Sequence, residues 1–93
     1  MVSAIVLIDC EQGMVNQAAT ALADIDGITE VYSVAGNVDL VAVVRVKNND
    51  DLAEVVTNRL QNAPGIARTE TLIAFRVFSK HDLERMFSIG MED

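Results

Sequence analysis

The chain has 93 residues, well under the ~150 of a typical domain, so it is read as a single small unit with no room for a second fold. Apolar residues make up 51%, more than a fold of this size can cover, so a hydrophobic face is expected to remain for self-association. Seven Lys and Arg against 14 Asp and Glu give a net charge of -7, which opposes phosphate backbones and anionic lipid and argues against direct nucleic-acid or membrane partners. The lone Cys10 excludes an intramolecular disulfide, and without a CxxC or Cys/His cluster no metal is expected.

The first strand is predicted over Val2 to Asp9, almost continuously apolar like a central strand buried on both faces. Its run Ala4 to Ile8 is too short for a signal-peptide core or a membrane span, so a cytoplasmic location is expected. Gly13 opens a helix whose stripe is Val15, Ala18, Ala19, Leu22 and Ile25. Asp26-Gly27 ends it, with Gly27 in the left-handed conformation just past the last turn. Strand two follows over Ile28 to Ala35, then Gly36-Asn37 as a two-residue hairpin of the primed type, then strand three over Val38 to Lys47. In strand three Leu40, Ala42, Val44 and Val46 face one way, and Val41, Val43, Arg45 and Lys47 the other.

Asn48 to Asp51 supply cap oxygens and negative charge where a second helix begins, with Leu52, Val55, Val56 and Leu60 as its buried stripe. Asn62-Ala63-Pro64-Gly65 stops it, and Ile66 to Phe78 forms a long last strand. Leu83, Met86 and Phe87 then predict a short amphipathic helix over His81 to Ile89. A shift of 38 positions aligns Ala4 with Ala42, Val6 with Val44, Leu22 with Leu60, Gly27 with Gly65 and Ile28 with Ile66. The chain is thus a duplicated β-α-β unit, and the expected fold class is α+β, ferredoxin-like β-α-β-β-α-β. An antiparallel four-stranded sheet carries both helices on one face, with a short C-terminal helix added. Nothing in the chain covers the other sheet face, so a second copy is expected there, as in a dimeric α+β barrel, with higher homo-oligomers beyond.

Three segments carry a family resemblance. They are Gly27-Ile28-Thr29-Glu30-Val31-Tyr32-Ser33-Val34-Ala35-Gly36-Asn37-Val38-Asp39-Leu40, Pro64-Gly65-Ile66-Ala67-Arg68-Thr69-Glu70-Thr71 and Phe75-Arg76-Val77-Phe78-Ser79-Lys80-His81-Asp82-Leu83-Glu84. The first resembles a strand, glycine turn and Asp-started strand of the Lrp/AsnC effector-binding (RAM) domain. The second is similar to that family's Pro-Gly-aliphatic break and Thr-x-Thr strand, and the third to the tail of stand-alone members lacking the DNA-binding helix-turn-helix. Ala35 and Val38 depart from the pattern, standing where the family often has a hydroxyl residue and a larger side chain. The resemblance implies a ligand-binding domain over 1–78 and a helical extension over 79–93.

At Gly36, Asn37, Val38 and Asp39, a tight turn exposes backbone N–H groups and Asp39 offers charge to an ammonium; the competing reading is an Asp that merely caps the turn. Thr69 and Thr71 lie two apart on one strand face and can orient a carboxylate, or they are simply good strand residues. With the resemblance, these six become the expected effector-binding residues. His81 and Cys10 lack partners for metal or nucleophilic chemistry, and the acid pairs Asp9/Glu11 and Asp50/Asp51 sit where solvated carboxylates belong. No catalytic residue and no cofactor are expected.

The resemblance implies a non-enzymatic, oligomeric module that binds a free amino acid or similar small metabolite. It would modulate transcription by associating with a DNA-binding Lrp/AsnC paralogue. The alternative is a cofactor-free barrel enzyme of the monooxygenase or isomerase type, which would need polar groups inside the sheet-lined cavity. A purely structural oligomer is the third reading.

Overall fold

The computed structural model describes residues 1–78 and Lys80. Strands β1 (Val2–Cys10), β2 (Ile28–Ser33), β3 (Leu40–Val46) and β4 (Ile66–Ala74) form one sheet in the order β2-β3-β1-β4, antiparallel at every junction. Helix α1 (Val15–Ala23) lies between β1 and β2. Helix α2 (Asn49–Ala53) runs on as a π-helix over Glu54–Arg59 before β4. This is the expected ferredoxin-like α+β fold.

The core follows from strand alternation. Leu40 pairs with Ile8, Ala42 with Val6 and Val44 with Ala4, so these six side chains share one sheet face, and all six are fully buried. Ala18 and Leu22 of α1 and Leu52, Val55 and Leu60 of the second helical segment close over them. The 38-residue repeat survives in three dimensions. Leu22 and Leu60 are both 0% exposed, and Gly27 and Gly65 both take positive φ, 98° and 78°.

Asn48 starts α2 as expected, its side-chain oxygen accepting the Asp51 N–H at 2.8 Å, with Asp50 and Asp51 in the first turn. Asn48→Ala is expected to lower stability by about 1 kcal/mol through loss of that cap, read as a shifted urea midpoint at unchanged slope. The helix then widens, because regular α spacing after Val55 would turn Arg59 toward the core. A π-turn, in which the Leu60 N–H donates to the Val55 carbonyl at 2.8 Å, brings Leu60 inward and leaves Arg59 exposed.

Several predicted boundaries move. The two-residue hairpin is instead a wider loop over residues 34–39, closed by the Val34 N–H donating to the Asp39 carbonyl at 3.1 Å. Asn37 does not take the positive φ that a primed turn needs. The cause is long-range: the Asp39 N–H donates to the Ile8 carbonyl on β1 at 3.0 Å, drawing the chain away from β2 before strand pairing begins. Strand β4 ends at Ala74 rather than Phe78, since its partner β1 runs out where Ser3 pairs with Ala74. β1 is central, yet among the described residues only its helix-facing side is covered. The amphipathic helix predicted over His81 to Ile89, like most of the 79–93 extension, lies outside the described residues.

Candidate functional site

The loop over residues 34–39 sits at the end of the sheet where β1 exits. Gly36 there has φ 139°, a conformation open to glycine, with no atom close to where a Cβ would stand. Asp39 is tied back: its Oδ2 accepts the Cys10 N–H at 2.9 Å, 29 residues away. That bond serves a capping role, and it also fixes one carboxylate oxygen at the mouth of the loop. A neighbouring pair of charges escaped the sequence reading. Arg68 Nη2 approaches Asp9 Oδ2 at 3.0 Å and its Nε donates to the same oxygen at 3.2 Å. Nothing local signals this pair, which exists because the β1–β4 register places Asp9 opposite Arg68.

Thr69 and Thr71 do share a face of β4, as expected, and it is the helix-covered one. They pair with Ile8 and Val6, whose side chains belong to the core. Thr69 Oγ1 accepts from Gln61 Nε2 at 3.1 Å, while Thr71 lines a cleft of about 480 Å³ between α2 and β4 with Leu52, Val56 and Ile73. In the row Leu40, Ile8, Thr69, the loop's strand and the threonine strand stand two spacings apart, about 10 Å. One chain therefore gathers Gly36, Asn37, Val38 and Asp39 in the loop and holds the two threonines apart from them under the helical layer.

Among the described residues nothing covers the opposite sheet face. Val41, Leu7 and Val43, Ile5, Leu72 form two cross-strand rows, bounded by Tyr32 and Glu30 on β2 and Glu70 on β4. Ile5 is 37% and Leu72 46% exposed. The Tyr32 hydroxyl donates to Glu30 Oε2 at 2.6 Å, and this hydrogen bond raises its pKa above the usual range. Burial, then the negative charges of Asp39 and Asp9, push the Cys10 thiol up as well, the reverse of what a thiolate nucleophile needs. Among the described residues no group of three or more His, Cys, Asp or Glu side chains is placed to hold a metal, and no helix is long and apolar enough to cross a membrane.

An antiparallel sheet roofed by helices on one side and aliphatic on the other defines a ferredoxin-like α+β domain. Within that class the chain belongs to the Lrp/AsnC family, whose ligand binding domain matches residues 3–83. It is 34% identical over 59 residues to an uncharacterised HTH-type transcriptional regulator of Pyrococcus abyssi, a match covering 63% of this chain and 39% of the relative. The chain spans less than half the length of the curated relatives it matches. Among solved structures, TTHA0845 of Thermus thermophilus is similar at 42% identity and TM-score 0.80, over 86% of this chain and all of that one. The feast or famine regulatory protein Rv3291c of M. tuberculosis, solved in complex with L-methionine, is similar at 27% identity and TM-score 0.71, over 86% of this chain and 54% of its own.

Proposed function

We propose that this protein is a non-enzymatic, cytoplasmic amino-acid sensor that assembles through its bare sheet face and modulates transcription by associating with DNA-binding Lrp/AsnC relatives. The observation that carries this reading is the division of the candidate site. The loop over Gly36 to Asp39 and the pair Thr69 and Thr71 lie on different parts of one chain, so a ligand touching both would bridge subunits. A ligand that bridges subunits couples its own binding to assembly through its higher affinity for the assembled state. Asp39 suits the ammonium of an amino acid, the threonine hydroxyls its carboxylate, and the methionine carried by Rv3291c makes L-methionine the first ligand to try. The enzyme alternative finds little support, because the centre of the bare face is aliphatic.

The test is calorimetric titration of the wild type, Asp39→Asn and Thr71→Val with L-methionine and with whichever amino acids raise the melting temperature. Asparagine keeps an acceptor oxygen for the Cys10 N–H while removing the charge, so the loop is preserved. A hydrogen bond to a charged group is worth about 1.5 to 3 kcal/mol, so Asp39→Asn is expected to weaken binding by roughly ten- to a hundredfold. Equal affinities in all three proteins would remove these residues from the site, and the absence of any ligand would favour a purely structural oligomer.

A further inference from the structure

We propose that Gln61 is a positioning residue of the effector site: it fixes the Thr69 hydroxyl as a hydrogen-bond donor and so makes the site select a carboxylate. This deepens the effector-binding reading of Thr69 and rests on it. Its basis is the direction of one hydrogen bond. Gln61 Nε2 donates to Thr69 Oγ1 at 3.1 Å. An amide nitrogen cannot accept, so the hydroxyl proton is directed away from Gln61, and the group that meets it must be an acceptor. The hydroxyls of Thr20, Thr29 and Thr57 are committed differently, donating to the backbone carbonyls of Asn16, Val43 and Ala53. Thr69 receives instead.

The chain holds Gln61 from both sides. On one side is the π-turn: the Leu60 N–H donates to the Val55 carbonyl, which buries Leu60 and carries its neighbour Gln61 toward the start of β4. On the other, the Ala63 N–H donates to the Leu60 carbonyl at 3.1 Å, and the Gly65 carbonyl accepts the Glu11 N–H, tying the turn to β1. Thr69 is placed independently, by its pairing with Ile8. The contact therefore joins two elements that are each fixed without it. Thr71 stands two residues further along the same face, about 7 Å away, close to what two short O–H···O⁻ bonds and the width of one carboxylate span together. The Gln61 amide, the Thr69 hydroxyl and a carboxylate oxygen then form a chain of bonds pointing one way, each polarising the next. The NH2 of a carboxamide, meeting the Thr69 proton, would break that direction.

The test is calorimetric titration of the full chain with L-methionine and L-methioninamide, and with the acid and amide of each other amino acid. Wild type is compared with Gln61→Leu, Gln61→Glu, Thr69→Val and the double variant Gln61→Glu, Thr69→Val. The readout is the ratio of acid to amide affinity, in which intrinsic differences between the two ligands cancel from one variant to the next. A glutamate carboxylate only accepts, so it takes the Thr69 proton and turns a lone pair toward the ligand. Gln61→Glu is expected to lower the acid-to-amide ratio roughly tenfold or more, and Gln61→Leu, which leaves the hydroxyl free to turn, to lower it less. In the Thr69→Val background the effect of Gln61→Glu should largely vanish. An unchanged ratio in the Gln61 variants, or an effect undiminished without the Thr69 hydroxyl, would overturn the proposal while leaving effector binding in place. Failure of the wild type to bind any amino acid would remove the effector reading and this inference with it. Without a ligand, the Thr69 methyl NMR signal is expected to shift in Gln61→Leu, and an unmoved signal would overturn the contact by itself.

Discussion

Under the proposed sheet-face assembly, Ile5→Asp is expected to yield folded monomers. Ile5 sits at the centre of the bare face, between Val43 on β3 and Leu72 on β4, and is already 37% exposed in the single chain. An aspartate there can stay solvated in the monomer, so the far-ultraviolet spectrum and the helix-side core should be little changed. In a face-to-face dimer the same carboxylate is trapped between two aliphatic sheets without a partner. An unpaired buried charge costs several kcal/mol, and a two-fold interface contains it twice, so dimerisation is expected to weaken by about a thousandfold or more. Sedimentation velocity at micromolar concentration reads the change directly. Thr20→Asp, an exposed position on α1, is the matched control and should leave assembly intact. If Ile5→Asp sediments like the wild type, the sheet face is not the interface.

Gly65→Ala is expected to be strongly destabilising. Gly65 is buried with φ 78°, and a Cβ built there would stand 2.5 Å from Met14 Cβ, closer than two such atoms can approach. The backbone conformation alone costs alanine about 1 to 2 kcal/mol, and forcing Met14 aside adds a further 1 to 3 kcal/mol of overpacking. Relief by backbone movement is blocked on the other side, where the Gly65 carbonyl accepts the Glu11 N–H at 2.8 Å and locks the exit of β1 to the start of β4. A loss of roughly 2 to 5 kcal/mol corresponds to a fall in melting temperature of some 10 °C or more for a chain of this size. The double variant Gly65→Ala, Met14→Gly, measured against Met14→Gly alone, separates the two causes, since only glycine removes the Cβ at position 14. In that background Gly65→Ala should lose most of the steric part and retain the conformational part, and no remaining cost would show that φ at this position is unconstrained.

How much of the molecule could be read in advance depends on the range of the interactions involved. The alternation Leu40, Ala42, Val44 and the stripe Ala18, Leu22 are local periodicities, and every one of these residues is buried on the helix side of the sheet. The second stripe was legible too, although the π-turn that lets Leu60 follow Val55 was not, because spacings of three, four and five all read as one helical face. The hairpin was misjudged for a different reason. Gly36-Asn37 has the composition of a tight turn, yet the loop takes its shape from Asp39, whose backbone and side chain both bond to β1.

By itself the sequence determined the order of elements, the two-way alternation of strand three, the duplication by 38 residues, the surplus of apolar side chains and the family. All of these depend on residue spacing along the chain and on composition, which a linear text records. Only the tertiary structure decided that Asp39 holds the Cys10 N–H, that Asp9 meets Arg68 across 59 residues, and that Thr69 and Thr71 look toward the helices. Period-two alternation says that two residues share a face, and it is silent on which face that is. Strand register settles the matter, and register is fixed by the simultaneous packing of β1 against both neighbours beneath the helices.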